Sequence, residues 1–144
     1  MNRGPDGFFH PRNVKDVQAL VRRARAEGRR LRVCGAAHSE PKAIYSDAFG
    51  RGKVSGSIEL HLDRMRGIQL DEARAEVTVE AGCKFGFDPG DQTGRSIEES
   101  GLTPFLESHG LALSLLGGVS HQTVAGFMAT GSEGASLRHS FYDH

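Results

Sequence analysis

The residues best suited to chemistry in this chain lie in a run of small side chains at 117–134, GGVSHQTVAGFMATGSEG. Glycine and alanine let the main chain approach a ligand closely, and glycine also reaches positive φ at little cost. Hydroxyl groups stand among them, and each can donate a hydrogen bond to an oxyanion. They belong to Ser120, Thr123, Thr130 and Ser132. The pattern indicates a phosphate-bearing cofactor that lies along the backbone.

A second run of the same character lies upstream, where residues 34–39 read CGAAHS. It follows the apolar residues at 31–34, which are predicted to form a short strand, and α/β proteins usually place ligands at the carboxyl end of a strand. We name residues 34–39 loop 1 and residues 117–134 loop 2. The residues alone leave two readings open, because glycine-rich loops after strands either bind phosphate groups or only turn the chain.

Several helix and strand signals surround these loops. Asn13 is predicted to cap a helix with one apolar stripe, and Gly28 is predicted to end it. Alternating apolar residues predict strands at 58–62, 68–70 and 77–81, joined as an antiparallel meander. Together they predict an α+β fold, in which a helix packs on a small mixed sheet and a second α/β lobe begins further along.

The second lobe is predicted to open with a helix. Residues 96–99, SIEE, have the form of a capping box, and the apolar face continues to Gly110. Pro104 interrupts this stretch, so we expect either a kink or a restart with Thr103 as N-cap and Pro104 as the first helical residue. Nothing near Asp143 and His144 resembles a closing element, which suggests an incomplete unit.

Composition narrows the possible functions. The chain has 144 residues, is 38% hydrophobic and 25% charged, and carries no net charge. These values are typical of a soluble domain and do not favour a nucleic-acid or membrane partner. The N-terminus has no apolar signal core, so a cytoplasmic location is predicted. No Cys or His cluster has zinc-ligand spacing, and no nucleophile, P-loop or G-x-G-x-x-G motif stands out. We therefore predict no metal site.

The order of these pieces resembles the N-terminal part of flavoproteins of the vanillyl-alcohol-oxidase type, whose FAD-binding module is also called the PCMH-type domain. The stretches that carry the likeness are PRNVKDVQALVRRARAEG at 11–28, RVCGAAHS at 32–39, IELHLDRMRGIQLDEARAEVTVEAGC at 58–83, and HGLAL at 109–113 followed by loop 2. The resemblance covers nearly the whole chain. It implies one truncated FAD-binding domain over 1–144, with a first lobe at about 1–83 and a second lobe starting at about 96–144.

The resemblance implies FAD as the cofactor and assigns a role to each loop. Backbone N–H groups of loop 1 would wrap the diphosphate, and this set is Cys34, Gly35, Ala36, Ala37, His38 and Ser39. Loop 2 would hold the other side and approach the flavin, through Gly118, Ser120, Thr123, Gly126, Thr130, Gly131 and Ser132. In several relatives the histidine at the position of His38 is bonded covalently to the flavin C8 methyl group. The alternative is a histidine that only lines the loop.

The resemblance also implies an FAD-dependent oxidoreductase that oxidises a CH–OH group of a sugar-like or alcohol substrate. The substrate residues would lie beyond residue 144, so we assign no catalytic residue within this chain. The rival interpretation comes from another class of protein. It is a truncated, non-catalytic FAD-binding fragment, or a module that needs a separately encoded partner to supply the remaining half.

Overall fold

The computed structural model describes residues 1–39, 56–90 and 100–140. Two compact units divide the chain, Met1–Met65 and Arg66–His144. The predicted capping box at 96–99 and the chain end at 143–144 lie outside the described residues, as does most of the predicted loop at 40–56. The two lobes drawn from the resemblance, about 1–83 and about 96–144, stay a prediction.

The first unit begins its regular structure with helix α1, Val14–Ala26. Asn13 caps it as predicted, because its side chain accepts a hydrogen bond from the Asp16 N–H at 3.0 Å. Gly28 lies two residues after the last helical residue and stops the helix, as predicted. It has φ +60°, and the Gly28 N–H donates to the Arg25 carbonyl at 3.3 Å. This left-handed residue is the usual reason for glycine just after a helix.

Two parallel strands, β1 (Leu31–Cys34) and β2 (Ile58–His61), form the sheet of the first unit. Phe9 adds a short parallel pairing on the opposite side of β2. Its N–H donates to the Glu59 carbonyl, and its carbonyl accepts from the His61 N–H, both at 2.9 Å. The three segments run in the same direction, so their carboxyl ends meet along one line, which we name the carboxyl edge.

The core of the first unit joins helix and sheet, as predicted. Leu20 and Ala24 of α1 pack with Phe9, Ile58 and Leu60, and each of the five is at most 5% exposed. Burial of β2 is nearly complete on both faces, which is typical of a parallel strand. The alternation of apolar and polar residues predicted a strand with only one buried face. The burial of the other face could not be predicted from it, because Glu59 and His61 on that face are polar.

The predicted antiparallel meander is wrong for its first strand. Strands β3 (Ile68–Asp71) and β4 (Glu76–Val79) form an antiparallel hairpin in the second unit. Strand β2 does not join it and pairs with β1 instead. The hairpin strands alternate between half-buried and exposed residues, as one-sided antiparallel strands do, so the pattern alone identified the strands correctly but not their partners.

The second unit also contains helices α2 (Leu102–Ser108) and α3 (Val124–Ala129). The predicted N-cap at Thr103 is wrong, because α2 is capped by Gly101 at φ +119°. A Cβ on Gly101 would lie 2.8 Å from the Gly86 Cα, so the close approach of two backbone segments sets the helix start. Pro104 is then the third helical residue, where no intrahelical N–H bond is lost.

The core of the second unit is aromatic. Phe85 and Phe127 meet edge to face with ring centroids 5.2 Å apart, a favoured arrangement of aromatic pairs. Leu102, Leu106 and Val124 complete this buried cluster with Cys83. The helix, the two-stranded sheets and these two cores confirm the predicted α+β class.

Candidate functional site

Loop 1 continues directly from the carboxyl end of β1. Cys34, the last strand residue, is 4% exposed, and its thiol donates to the Gly35 carbonyl at 3.5 Å. Exposure then rises along the loop, with Ala36 half-buried and both Ala37 and His38 exposed. The loop is therefore anchored at its base and presents its small residues to solvent at its tip.

Ala37 is in the left-handed region, with φ 60°. A residue with a Cβ loses about 1–2 kcal/mol there relative to the right-handed conformation. Such conformations persist where surrounding structure enforces them, and they are concentrated at ligand-binding and catalytic sites. Ala75, in the turn between β3 and β4, has a similar φ of 52°, so the conformation alone does not identify a site.

The first part of loop 2 runs antiparallel to the segment 83–87. The Phe85 N–H donates to the Gln122 carbonyl at 3.0 Å, and the Gly86 N–H donates to the Ser120 carbonyl at 2.7 Å. The Ser120 hydroxyl donates to the Phe87 carbonyl at 3.1 Å. These bonds hold the carbonyl side of loop 2 and the Ser120 hydroxyl against the protein.

The second part of loop 2 is built around α3. The Thr123 hydroxyl accepts from the Gly126 N–H at 3.2 Å, and Thr123 is 5% exposed. At the other end of the helix, the Thr130 hydroxyl donates to the Gly126 carbonyl, while the N–H groups of Gly131 and Ser132 donate to helix carbonyls. Five of the predicted site residues thus take part in the caps of this short helix.

Gly118 differs from Gly117 and Gly126 in the space around it. A Cβ on Gly117 would lie 2.7 Å from the Phe127 ring, and one on Gly126 would lie 2.7 Å from the Thr123 hydroxyl oxygen. A Cβ on Gly118 would meet nothing within 4 Å. Gly118, Val119 and Ser120 are exposed, and their N–H groups donate to no acceptor in the described parts of the chain. Consecutive N–H groups of this kind suit an anion.

The two loops expose their small residues in different ways. Loop 1 has a solvent-facing tip of small residues. Loop 2 has exposed amides at 118–120, and the first of these residues, Gly118, has open space where a Cβ would lie. The exposed carboxylate of loop 2, Glu133, accepts a hydrogen bond from the Ser140 hydroxyl at 2.9 Å. The remaining predicted residues, Thr123, Gly126, Thr130, Gly131 and Ser132, are engaged in the helix caps.

The structure also brings together three polar residues that the sequence-based analysis missed. His10, His61 and Asp63 each offer a ligand atom, and these atoms lie within 4.8 Å of one another. His10 Nδ1 is 2.6 Å from an Asp63 oxygen, and its Nε2 is 3.0 Å from an Asp6 oxygen. The sequence carried one signal, the i, i+2 spacing of His61 and Asp63 at a strand end, but His10 is remote in the chain.

Electrostatics separate the two histidines of this group. Burial acts to lower the pKa of His10, but hydrogen bonds with Asp63 and Asp6 outweigh it and raise that pKa above its ordinary value. Burial dominates at His61 and lowers its pKa, even though Asp63 and the Gly35 backbone act in the opposite direction. His61 is half-buried at the carboxyl edge rather than a surface residue.

None of the helices within 1–39, 56–90 and 100–140 is long and apolar enough to cross a membrane. The predicted cytoplasmic location stays a prediction.

Comparisons with known proteins identify the family. The chain is 31% identical over 136 residues to L-gulonolactone oxidase of Mus musculus, an alignment that covers 94% of this chain and 26% of that protein. The corresponding enzyme of Bos taurus gives the same values. The D-arabinono-1,4-lactone oxidase of Eremothecium gossypii is 33% identical over 140 residues, with 94% of this chain and 22% of that protein covered. The chain thus spans about a quarter of the length of these relatives.

A family model described as an FAD binding domain matches residues 5–86, which include α1, both sheets and loop 1. The match agrees with the resemblance to the PCMH-type module. The family model matches more than half of the residues of this chain. The chain therefore belongs to the FAD binding domain family, and FAD is its cofactor.

Proposed function

We propose that this chain is the FAD-binding part of an oxidoreductase that oxidises a CH–OH group of an aldonolactone or a similar sugar-derived substrate. One observation carries the proposal: the lactone oxidases align over 94% of the chain. An alignment over 94% of this chain leaves fewer than ten residues unmatched. Because ten residues follow Gly134, the last residue of loop 2, the alignment includes loop 2 as well as loop 1. The substrate class is taken from the names of those relatives.

Within this chain the residues bind and orient the cofactor. The amides of loop 1 would bind the diphosphate, and loop 2 would contribute to FAD binding through its exposed amides at 118–120, because small side chains leave the main chain accessible. Thr123, Gly126, Thr130, Gly131 and Ser132 would act one step away, by fixing the short helix that continues loop 2. When bound, FAD supplies the hydride-accepting chemistry, and the protein supplies its position and surroundings.

The experiment that tests the proposal compares two matched substitutions, Ala37→Glu and Ala75→Glu. Both alanines are exposed and have positive φ, at 60° and 52°, so both variants bear the same strain and the same added charge. Only Ala37 lies in a proposed diphosphate loop, where a carboxylate would repel the ligand. We expect FAD titration followed by flavin fluorescence to show affinity lowered at least tenfold in Ala37→Glu and little changed in Ala75→Glu.

Far-UV circular dichroism checks that both variants are folded. Equal FAD affinity in the two folded variants would contradict the assignment of loop 1 to the diphosphate. A chain that binds FAD but does not turn over aldonolactones favours the rival view of a non-catalytic module. Turnover that appears on adding a separately encoded partner chain would support a module that needs such a partner.

We also propose that His38 carries the flavin covalently, as the resemblance implies. His38 is exposed at the tip of loop 1, beside Ala37, and an exposed imidazole can reach a ring bound along the loop. Yellow colour should remain with the acid-precipitated protein and be lost in His38→Ala. If the wild-type protein releases all of its flavin into the acid supernatant, His38 only lines the loop.

A further inference from the structure

The carboxyl edge of the first unit gathers the three possible ligands from separate segments. His10 follows the Phe9 pairing, His61 is the last residue of β2, and Asp63 lies two residues beyond it. Their ligand atoms lie within 4.8 Å of one another, and all three residues are half-buried. The parallel pairing on both sides of β2 brings His10 and His61 together, since it aligns the ends of the neighbouring segments.

Each histidine already has a polar neighbour outside the group. His10 Nε2 is 3.0 Å from Asp6, which leaves Nδ1 directed at Asp63. The His61 ring has a hydrogen bond with the backbone of Gly35. Metal-binding histidines typically donate their second N–H to a carboxylate or a backbone carbonyl in this way, which fixes the orientation of the ring.

We propose that His10, His61 and Asp63 form a binding site for a divalent transition metal of the zinc class, with a water molecule or another small ligand in the fourth position. Two imidazoles and one carboxylate suit Zn²⁺, whereas Ca²⁺ and Mg²⁺ prefer oxygen ligands alone. Ligands around a tetrahedral Zn²⁺ lie roughly 3.3 Å apart. The present atoms, within 4.8 Å of one another, therefore need side-chain shifts of about 1–1.5 Å.

A surface cleft reaches one of the three ligands, His10. The charged residues that line the cleft with it are Arg3, Arg12, Asp16 and Arg64. The three guanidinium groups oppose a cation, so we expect a modest affinity, and they would favour an anionic group in the fourth position. The alternative is that no metal binds and the protonated His10 ring donates one N–H to Asp63 and the other to Asp6.

A bound metal would join three parts of the first unit. The N-terminal segment carries His10, β2 and its following turn carry His61 and Asp63, and His61 in turn contacts Gly35 of loop 1. The site would therefore stiffen the base of loop 1. This inference does not depend on the proposed function, since it concerns metal binding by the chain without flavin.

The test uses the whole chain after dialysis against a chelator. Zn²⁺ is added in isothermal titration calorimetry, and Co²⁺ is added in a separate absorbance titration, because tetrahedral Co²⁺ has a distinctive visible spectrum. We expect one equivalent of Zn²⁺ to bind and to displace Co²⁺ from the same site. Failure of the wild-type chain to bind either ion in a saturable one-to-one manner would overturn the proposal and favour a protonated His10 that donates to both Asp63 and Asp6.

Variants then assign the ligands. His61→Gln and Asp63→Asn should each weaken Zn²⁺ binding at least about 100-fold, since the loss of an outer partner alone costs about 10–100-fold. Asp6→Asn keeps both ligand histidines and removes only an outer partner, so it should weaken Zn²⁺ binding by about 10–100-fold. His139→Gln is the control, because His139 is exposed and outside the group, and its affinity should match that of the wild type.

Folding of each variant is checked by circular dichroism. If the ligand variants do not fold, the ligand assignment is tested by the Zn²⁺ affinity of Asp6→Asn and by the visible spectrum of Co²⁺ bound to the wild type. Zn²⁺ affinity that is equal in the wild type, Asp6→Asn and every folded ligand variant would place the ion elsewhere and overturn the assignment.

Discussion

Loop 1 and loop 2 contain the same kinds of small residues but use them differently. In loop 1 the tip is exposed, and its one unusual feature is the positive φ of Ala37. In loop 2 much of the sequence is consumed by local structure, since Gly117 and Gly126 make room for Phe127 and Thr123, and the hydroxyls of Thr123 and Thr130 cap α3. Among the residues that the structure describes, 118–120 keep their N–H groups unused, and Gly118 has open space at its Cβ position.

This difference shows that the glycines of a glycine-rich run can have different structural roles. A glycine is required because a neighbouring atom occupies the place of its Cβ, because its φ is positive, or because a ligand approaches from outside, and the first two requirements affect folding without ligand. Gly134 and Gly118 are the clearest pair. A Cβ on Gly134 would overlap the Leu116 carbonyl and the Leu115 side chain, while one on Gly118 would enter open space.

The largest predicted effect compares these two glycines. Gly134→Ala should lower the free energy of unfolding by about 2–3 kcal/mol, because the backbone of Leu116 cannot move aside as a flexible side chain can. Gly118→Ala should change it by less than about 0.5 kcal/mol while weakening FAD binding. Urea unfolding and FAD titration measure the two quantities, and equal destabilisation by both variants would contradict the distinction.

A smaller effect is expected at the helix caps. Thr123→Ala removes the hydroxyl that accepts from Gly126 and should cost about 1 kcal/mol of unfolding free energy. Thr123→Ser keeps the hydroxyl and is the matched control, with little change expected. Asn13→Ala, at the start of α1, should cost a similar amount in the first unit. If Thr123→Ser lost FAD affinity with stability unchanged, Thr123 would contact the cofactor directly.

The two strained alanines give the next comparison. Ala37→Gly and Ala75→Gly should each raise the free energy of unfolding, by about 0.5–1 kcal/mol, because glycine reaches positive φ without a Cβ penalty. The entropy of glycine in the unfolded chain offsets part of this gain. Thermal unfolding measures it, and a loss of stability in either variant would show that the alanine methyl group makes a contact that outweighs the strain.

The smallest effect concerns acid. Burial acts to raise the pKa of Asp88, but the hydrogen bonds from Lys84 and the Gly90 N–H and the charge of Lys84 together outweigh it and lower that pKa below its ordinary value of 3.8. A lowered folded-state pKa adds stability above about pH 3.8, and this is lost as the pH falls through the folded-state value. Asp88→Asn should lack this loss, which amounts to about 0.5–1 kcal/mol. Urea unfolding at several pH values below 5 should show a shallower decline in the variant.

The sequence predicted the local elements of the fold well and their partners less well. The start and end of α1 follow from Asn13 and Gly28, which act through bonds to their own neighbours. The pairing of β2 with β1 and the cap of α2 at Gly101 depend on segments far apart in the chain. Neither leaves a periodic pattern, because the determining contact lies between backbones.

The candidate site divides in the same way. Residue types alone placed small side chains and hydroxyls in both loops, since the capacity of glycine to approach a ligand is a property of the residue itself. Which glycines are free to use that capacity was decided by tertiary packing, for the space around Gly118 and Gly134 depends on their neighbours. The meeting of His10 with His61 and Asp63 was decided there too, because parallel strand pairing unites residues that no spacing in the chain connects.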